Sequence, residues 1–187
     1  MKLQRIKKWG EDRRLDKIPH NENAFLRMIL EEIGEYITAE INSYEKDGMI
    51  DALGDITVFC ITELPRLGVN HSDVFMDYGR NISEFIEQFP SYYNDSCTTA
   101  ENLVSILSKF IDKTKPEKIE VIKELCVFSW KRIQTLGYDV DCVMNEILKE
   151  IESRTGDWNE TQGKWIKDKS PEAVKKWYKA DFSDCMV

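Results

Sequence analysis

The sequence has two histidines, His20 and His71, and five cysteines among 187 residues. None of the cysteines forms a C-x-x-C pair, and no apolar run comes near the roughly 18 residues needed to span a bilayer. Each shortage closes a class of function. A histidine metal site or a Ser-His-Asp nucleophile lacks its parts. The cysteines are odd in number, and three lie inside apolar helical stretches, so a disulfide framework and a thiolate zinc site are both disfavoured. Cys126 and Cys142 read as buried small hydrophobes. The opening residues have no apolar segment of the signal-peptide kind, and the expected location is the cytoplasm. Positive charge is also short: 26 Lys and Arg against 34 Asp and Glu give a net charge of −8. An acidic chain lacks the cations that dominate duplex binding, so neither nucleic acid nor membrane is expected as a partner.

What is present is a helical pattern. Hydrophobic residues make up 42% of the chain, and they recur three and four apart with no convincing alternating run. The nine glycines and five prolines fall mostly between such segments. The expected fold is all-α, one domain over 1–187, with helices at Asn23 to Tyr44, Met49 to Leu67, Ser72 to Gln88, Thr98 to Lys113, Pro116 to Leu136 and Val140 to Ser153. Thr98 with Glu101 makes a capping box, Pro116 suits a first helical turn, and Gly68 and Gly137 stop helices. The stretch Phe89 to Cys97 reads as a linker. Laid over itself so that Leu67-Gly68 falls on Leu136-Gly137, the chain also places Asp51 on Glu120 and Asp55 on Glu124. With a shortened loop, Leu30 to Ile37 falls on Val104 to Ile111. The apolar pattern survives and the acids do not. Residues 1–68 are then a motif-bearing half, 98–153 a degenerate repeat completing a four-helix core, and 154–187 a tail or lid. Chance similarity between amphipathic helices is the alternative.

Two acid pairs interrupt strongly apolar helices. In Leu30-Glu31-Glu32-Ile33-Gly34-Glu35 the acids stand three and four apart, and in Asp51-Ala52-Leu53-Gly54-Asp55 they stand four apart, so each set shares one helical face. Like charges at this spacing destabilise an isolated helix unless a cation or solvent compensates, and neither segment supplies the cation. Antiparallel packing of the two helices brings Glu32, Glu35, Asp51 and Asp55 into an all-oxygen cage of the kind hard Mg²⁺ prefers. Gly34 and Gly54 allow close approach of a backbone or substrate. A solvated acidic face is the alternative.

E-E-x-x-E followed by a helix bearing D-x-x-x-D resembles the all-α nucleoside triphosphate pyrophosphohydrolases, the superfamily of MazG-like proteins, dimeric dUTPases and phosphoribosyl-ATP pyrophosphohydrolases. The resemblance covers Trp9 to about Gly68. The stretch from Ser153-Arg154-Thr155-Gly156 through Gly163-Lys164-Trp165-Ile166-Lys167-Asp168 to Trp177-Tyr178 and Asp181 is similar to the tail of phage-type MazG-like proteins. One position departs: the family's usual second motif is E-x-x-D, and Ala52 stands three before Asp55, so Asp51 must substitute.

The resemblance implies hydrolysis of a (d)NTP between the α- and β-phosphates, giving monophosphate and pyrophosphate. Metal ligands would be Glu32, Glu35, Asp51 and Asp55, holding Mg²⁺ with Mn²⁺ as a substitute. Glu31 would orient or deprotonate water, or be an exposed surface acid. Lys164, Lys167 and Trp165 of the tail, with Arg13 and Arg27, are candidate contacts to the nucleotide substrate. The other reading of the tail is aromatic packing with solvated lysines. Trp9, Trp130 and Phe59 read as core or subunit contacts, and the expected assembly is a homodimer or larger homo-oligomer. Alternatives are a phosphoribosyl-ATP-like substrate, or a non-catalytic helical adaptor with a metal site.

Overall fold

A computed structural model describes residues 2–42, 45–75, 81–89 and 100–187. They are mostly helical: α1 Lys2–Asp12, α2 Glu22–Ile41, α3 Lys46–Glu63, α4 His71–Phe75, α5 Ile82–Ile86, α6 Ala100–Ser108, α7 Lys115–Thr135, α8 Val140–Ser153 and the short α9 Pro171–Val174. No helix of the described residues is long and apolar enough to cross a membrane.

Local chemistry sets the ends. Asn21 caps α2 by accepting from the Ala24 N–H at 3.0 Å. Thr114 and Glu117 form a capping box ahead of α7, with Pro116 in its first turn. Asp139 caps α8 by accepting from the Cys142 N–H. Gly68 and Gly137 adopt φ of 68° and 91°, the left-handed conformation that ends a helix most easily at glycine. The Thr98 capping box and residues 90–97 of the expected linker lie outside the described residues, as do residues 76–80 of the helix expected over Ser72 to Gln88.

Helix α3 is the axis of the fold. Met49, Ile50, Ala52, Leu53, Gly54, Ile56, Val58, Cys60 and Ile61 are all buried, because α2, α7, α1 and α8 pack around it. Helix α6 lies against both α2 and α7. This explains why α3 is apolar on nearly every face while α2 buries one stripe, Phe25, Ile29, Ile33, Tyr36 and Ala39, and leaves Leu30 and Ile41 exposed. Trp130 is sealed in the core, and Trp9 and Phe59 pack at its edge.

Gly54 brings α3 close to α8. A Cβ there would stand 2.7 Å from Ile147 Cγ1 and 2.8 Å from its Cδ1. Ile147 is itself buried. Gly54→Ala should therefore destabilise by about 1–3 kcal/mol through overpacking. A thermal melt tests this, and an unchanged midpoint would mean that α8 yields at no cost.

Two expectations are corrected. The first concerns the tail expected over 154–187: within a fold that is otherwise consistent with all-α, β1 Gly156–Asn159 and β2 Lys164–Lys167 pair antiparallel, with Trp158 opposite Trp165 and Gly156 opposite Lys167. The strands are too short to show alternation in the sequence. The hairpin depends on Gly156, where a Cβ would fall 2.2 Å from the Ile166 carbonyl oxygen and 2.4 Å from the Trp165 ring. The second correction concerns Cys142, read as a free buried hydrophobe. It is half-buried and disulfide-bonded to Cys185, with 5.4 Å between the Cα atoms. Cys60 and Cys126 are the buried free thiols among the described residues.

Candidate functional site

Helices α2 and α3 bring together the acids that the spacing grouped. Glu32 sits among Phe25, Ile29, Ile33 and Tyr36 on the buried face of α2 and is 8% exposed. Among the described residues it takes no hydrogen bond or ion pair. Its neighbours are acids. Burial, then repulsion from Asp55, Glu35, Glu31 and Asp51, pushes its carboxyl up to about 8. Asp55 rises to about 7 through burial and the charge of Asp51, with Glu150 adding to the rise while Arg154 and Lys167 oppose it. Asp51 is raised by burial and by Glu150, against the pull of Lys179 and Arg154. Glu31 and Glu35 are exposed at the rim of this cluster.

Position 52, where the resembled motif has an acid, lies on a different face from Asp51 and Asp55. Ala52 is 1% exposed and faces the core. A carboxylate at that point on α3 would enter the apolar interior, whereas Asp51, one turn before Asp55, shares its half-buried face.

Helix α8 contributes what the spacing did not reveal. Glu150 is buried beside Asp51 and Asp55, pairs with Arg154 one turn later, and accepts from the Ala180 N–H at 2.7 Å. Three cations act on these acids: Arg154 at the end of α8 on both Asp51 and Asp55, Lys167 of the hairpin on Asp55, and Lys179 of the tail on Asp51. In the sequence, Glu150 and Arg154 look like an ordinary solvated i,i+4 pair. The only hint was an arginine just beyond a helix end.

The other sequence candidates separate cleanly. Lys167 faces the cluster; partial desolvation, then repulsion from Arg154, lowers its ammonium. Lys164, three positions earlier and opposite Asn159, points to the other side of the hairpin and is exposed. Trp165 does not line the cluster. It stacks on Arg13, whose guanidinium lies 4.7 Å from the Trp165 ring and 4.6 Å from Trp9. Arg13 also donates to the Arg154 carbonyl at 2.8 Å and, at 3.4 Å, to that of Ile151. Burial lowers its pKa, and its charge partners are Asp12 and Glu152 rather than the cluster. Arg13 therefore clamps α1, α8 and the hairpin together. Arg27 is exposed one turn before Glu31.

Among the described residues no three carboxylates converge closely enough to hold one ion. In kind, though not in convergence, the donors are those of a hard divalent cation: all oxygen, four acids on two helices, with the buried Glu32 carboxyl facing no counter-charge. No protein-family model, no curated protein and no solved structure matches the chain.

Proposed function

We propose that this protein is a Mg²⁺-dependent nucleoside triphosphate pyrophosphohydrolase of the all-α, MazG-like kind, cleaving a (d)NTP to monophosphate and pyrophosphate and working as a homo-oligomer. The observation that carries this is Glu32, buried and unpaired among Asp55, Glu35, Glu31 and Asp51. A core residue in that setting stabilises nothing by itself. It gains a purpose when a cation arrives.

The contacts of α2 with α6 and of α3 with α7 support a four-helix core made of two hairpins. The second hairpin supports the duplication as well. Lys109 and Glu124 fall on Glu35 and Asp55, and they form an ion pair at 2.8 Å. One hairpin thus carries its own cation at the place where the other carries only acids.

Glu32, Glu35, Asp51 and Asp55 would hold Mg²⁺, or Mn²⁺, which supplies Lewis-acid polarisation of phosphoryl oxygens and a water of lowered pKa. Arg154, Lys167 and Lys179 would neutralise the phosphates beside Asp51 and Asp55. Glu31, exposed next to Glu32, would accept a proton from the attacking water. Half-burial of Asp51 and Asp55 keeps this chemistry in a partly dry setting, where charge–charge effects are stronger than in water.

The test is release of pyrophosphate and nucleoside monophosphate from the common NTPs and dNTPs and dUTP, with Mg²⁺ or with EDTA. Metal-dependent appearance of both products is expected, and the rank order names the base. Their absence with folded protein would reject the proposal. Ala52, where the resembled motif has an acid, favours a second reading, a non-catalytic helical adaptor with a metal site, and the same assay separates the two.

A further inference from the structure

Beyond α9 the chain turns back and runs antiparallel to α8, fastened at successive points. The Tyr178 N–H donates to Ser153 Oγ at 2.8 Å, and the Tyr178 hydroxyl donates to Glu146. The Ala180 N–H donates to Glu150. Phe182 is buried. Cys185 is bonded to Cys142, its carbonyl accepts from the Asp139 N–H at 2.8 Å, and the Val187 N–H donates to the Gly137 carbonyl at 3.0 Å. Lys179 sits between two of these fastenings, with its charge opposite Asp51.

The strap is held to α8 by a few hydrogen bonds, one buried side chain and one covalent link, so it can open locally between its fastenings. With the disulfide closed, the segment stays tethered at Cys185. With it open, Phe182 is the remaining apolar anchor below Ala180, and opening can pass it to reach Lys179 and the bond to Glu150. Cys142 is the half-buried member of the bond and Cys185 is 1% exposed, so exchange begins at Cys142 Sγ with Cys185 as the leaving thiolate. In a reducing compartment a bond of this kind is transient or redox-sensing.

We propose that Cys142–Cys185 is a redox latch that holds the C-terminal strap, and with it Lys179, at the carboxylate site, so that a dithiol reductant opens the strap and weakens anion binding there. This rests on reading that site as a phosphate site. A thiolate of the dithiol attacks one sulfur to give a mixed disulfide, and its second thiol closes on the first. Cys142 and Cys185 are left as thiols and the dithiol as its own disulfide, two electrons and two protons having moved to the protein.

The full chain, oxidised or treated with dithiothreitol, is titrated calorimetrically with inorganic tripolyphosphate in the presence of Mg²⁺, and peptide mapping scores the linkage. The Kd is expected to rise roughly fivefold on reduction, the weight of one partly exposed charge contact. Cys185→Ser should match the reduced form without reductant, and Lys179→Ala should bind weakly and ignore the reductant. An unchanged Kd in protein whose Cys142 and Cys185 are both alkylated would overturn the latch. So would oxidised protein that lacks the linkage or binds no tripolyphosphate. Failed NTP cleavage alongside a reduction-sensitive Kd would reject the hydrolase reading and keep the latch.

Discussion

Asp55→Asn is expected to abolish metal-dependent turnover while leaving the protein folded and raising its melting temperature. The two effects come from one cause. Asp55 is raised to about 7 by burial and by Asp51, so at neutral pH its charge opposes folding unless a cation offsets it. Asparagine keeps the shape and removes that charge. A lost ligand removes several kcal/mol of transition-state stabilisation, and at about 1.4 kcal/mol per tenfold the rate should fall by at least a hundredfold. The gain in stability should be a few degrees, at roughly 2–4 °C per kcal/mol for a chain of this size. Glu32→Gln should behave alike. Glu124→Gln, at the corresponding place in the second hairpin, breaks an exposed pair with Lys109 and should move the melting temperature little and turnover not at all. Pyrophosphate release and a thermal melt on the same samples decide it. Full turnover in Asp55→Asn would remove the site, and a lowered melting temperature would show that the carboxylate has a partner that stabilises it.

That contrast depends on information the sequence held only in part. Spacing of three and four placed Glu32, Glu35, Asp51 and Asp55 on two helical faces, and helix periodicity is rigid enough for such grouping to survive folding. The bounds of α8 coincide with those expected, since Asp139 and Gly137 signal its start strongly. Helix α1 was missed because its buried Leu3, Ile6 and Gly10 are diluted by charges over a single short stripe. The hairpin was missed because four-residue strands carry no readable period. The Cys142–Cys185 bond was missed because connectivity is a property of the fold, and 43 residues separate the partners. Arg13 was misplaced for a related reason: nothing local to an arginine says whether it meets a phosphate or, as here, two tryptophan rings and a helix end.

Metal and proton should compete for the same acids, and this gives the second large effect. In EDTA, Glu32 at about 8 and Asp55 at about 7 bind more protons folded than unfolded, where ordinary carboxyl values apply. Their contribution to stability is fully present below the unfolded values and is lost as pH rises through 7 and 8. Asp141 works in the opposite sense. Burial alone would raise it, but Lys2 and the N–H groups of Ser83 and Ile82 hold it low, so its contribution fails in acid. The EDTA form should therefore melt highest in mildly acidic buffer and at a clearly lower temperature by pH 8.5. Mg²⁺ should change nothing near pH 5.5 and recover the loss at pH 8.5, because binding requires the ionised carboxylates and stabilises by mass action. Melting at both pH values, with and without Mg²⁺, measures this directly. An equal Mg²⁺ increment at both would detach the metal from these acids. A flat curve in EDTA would go further, since Glu32 and Asp55 would then bind no more protons folded than unfolded, and the clustering of acids around Glu32 would have no electrostatic consequence for a metal to relieve.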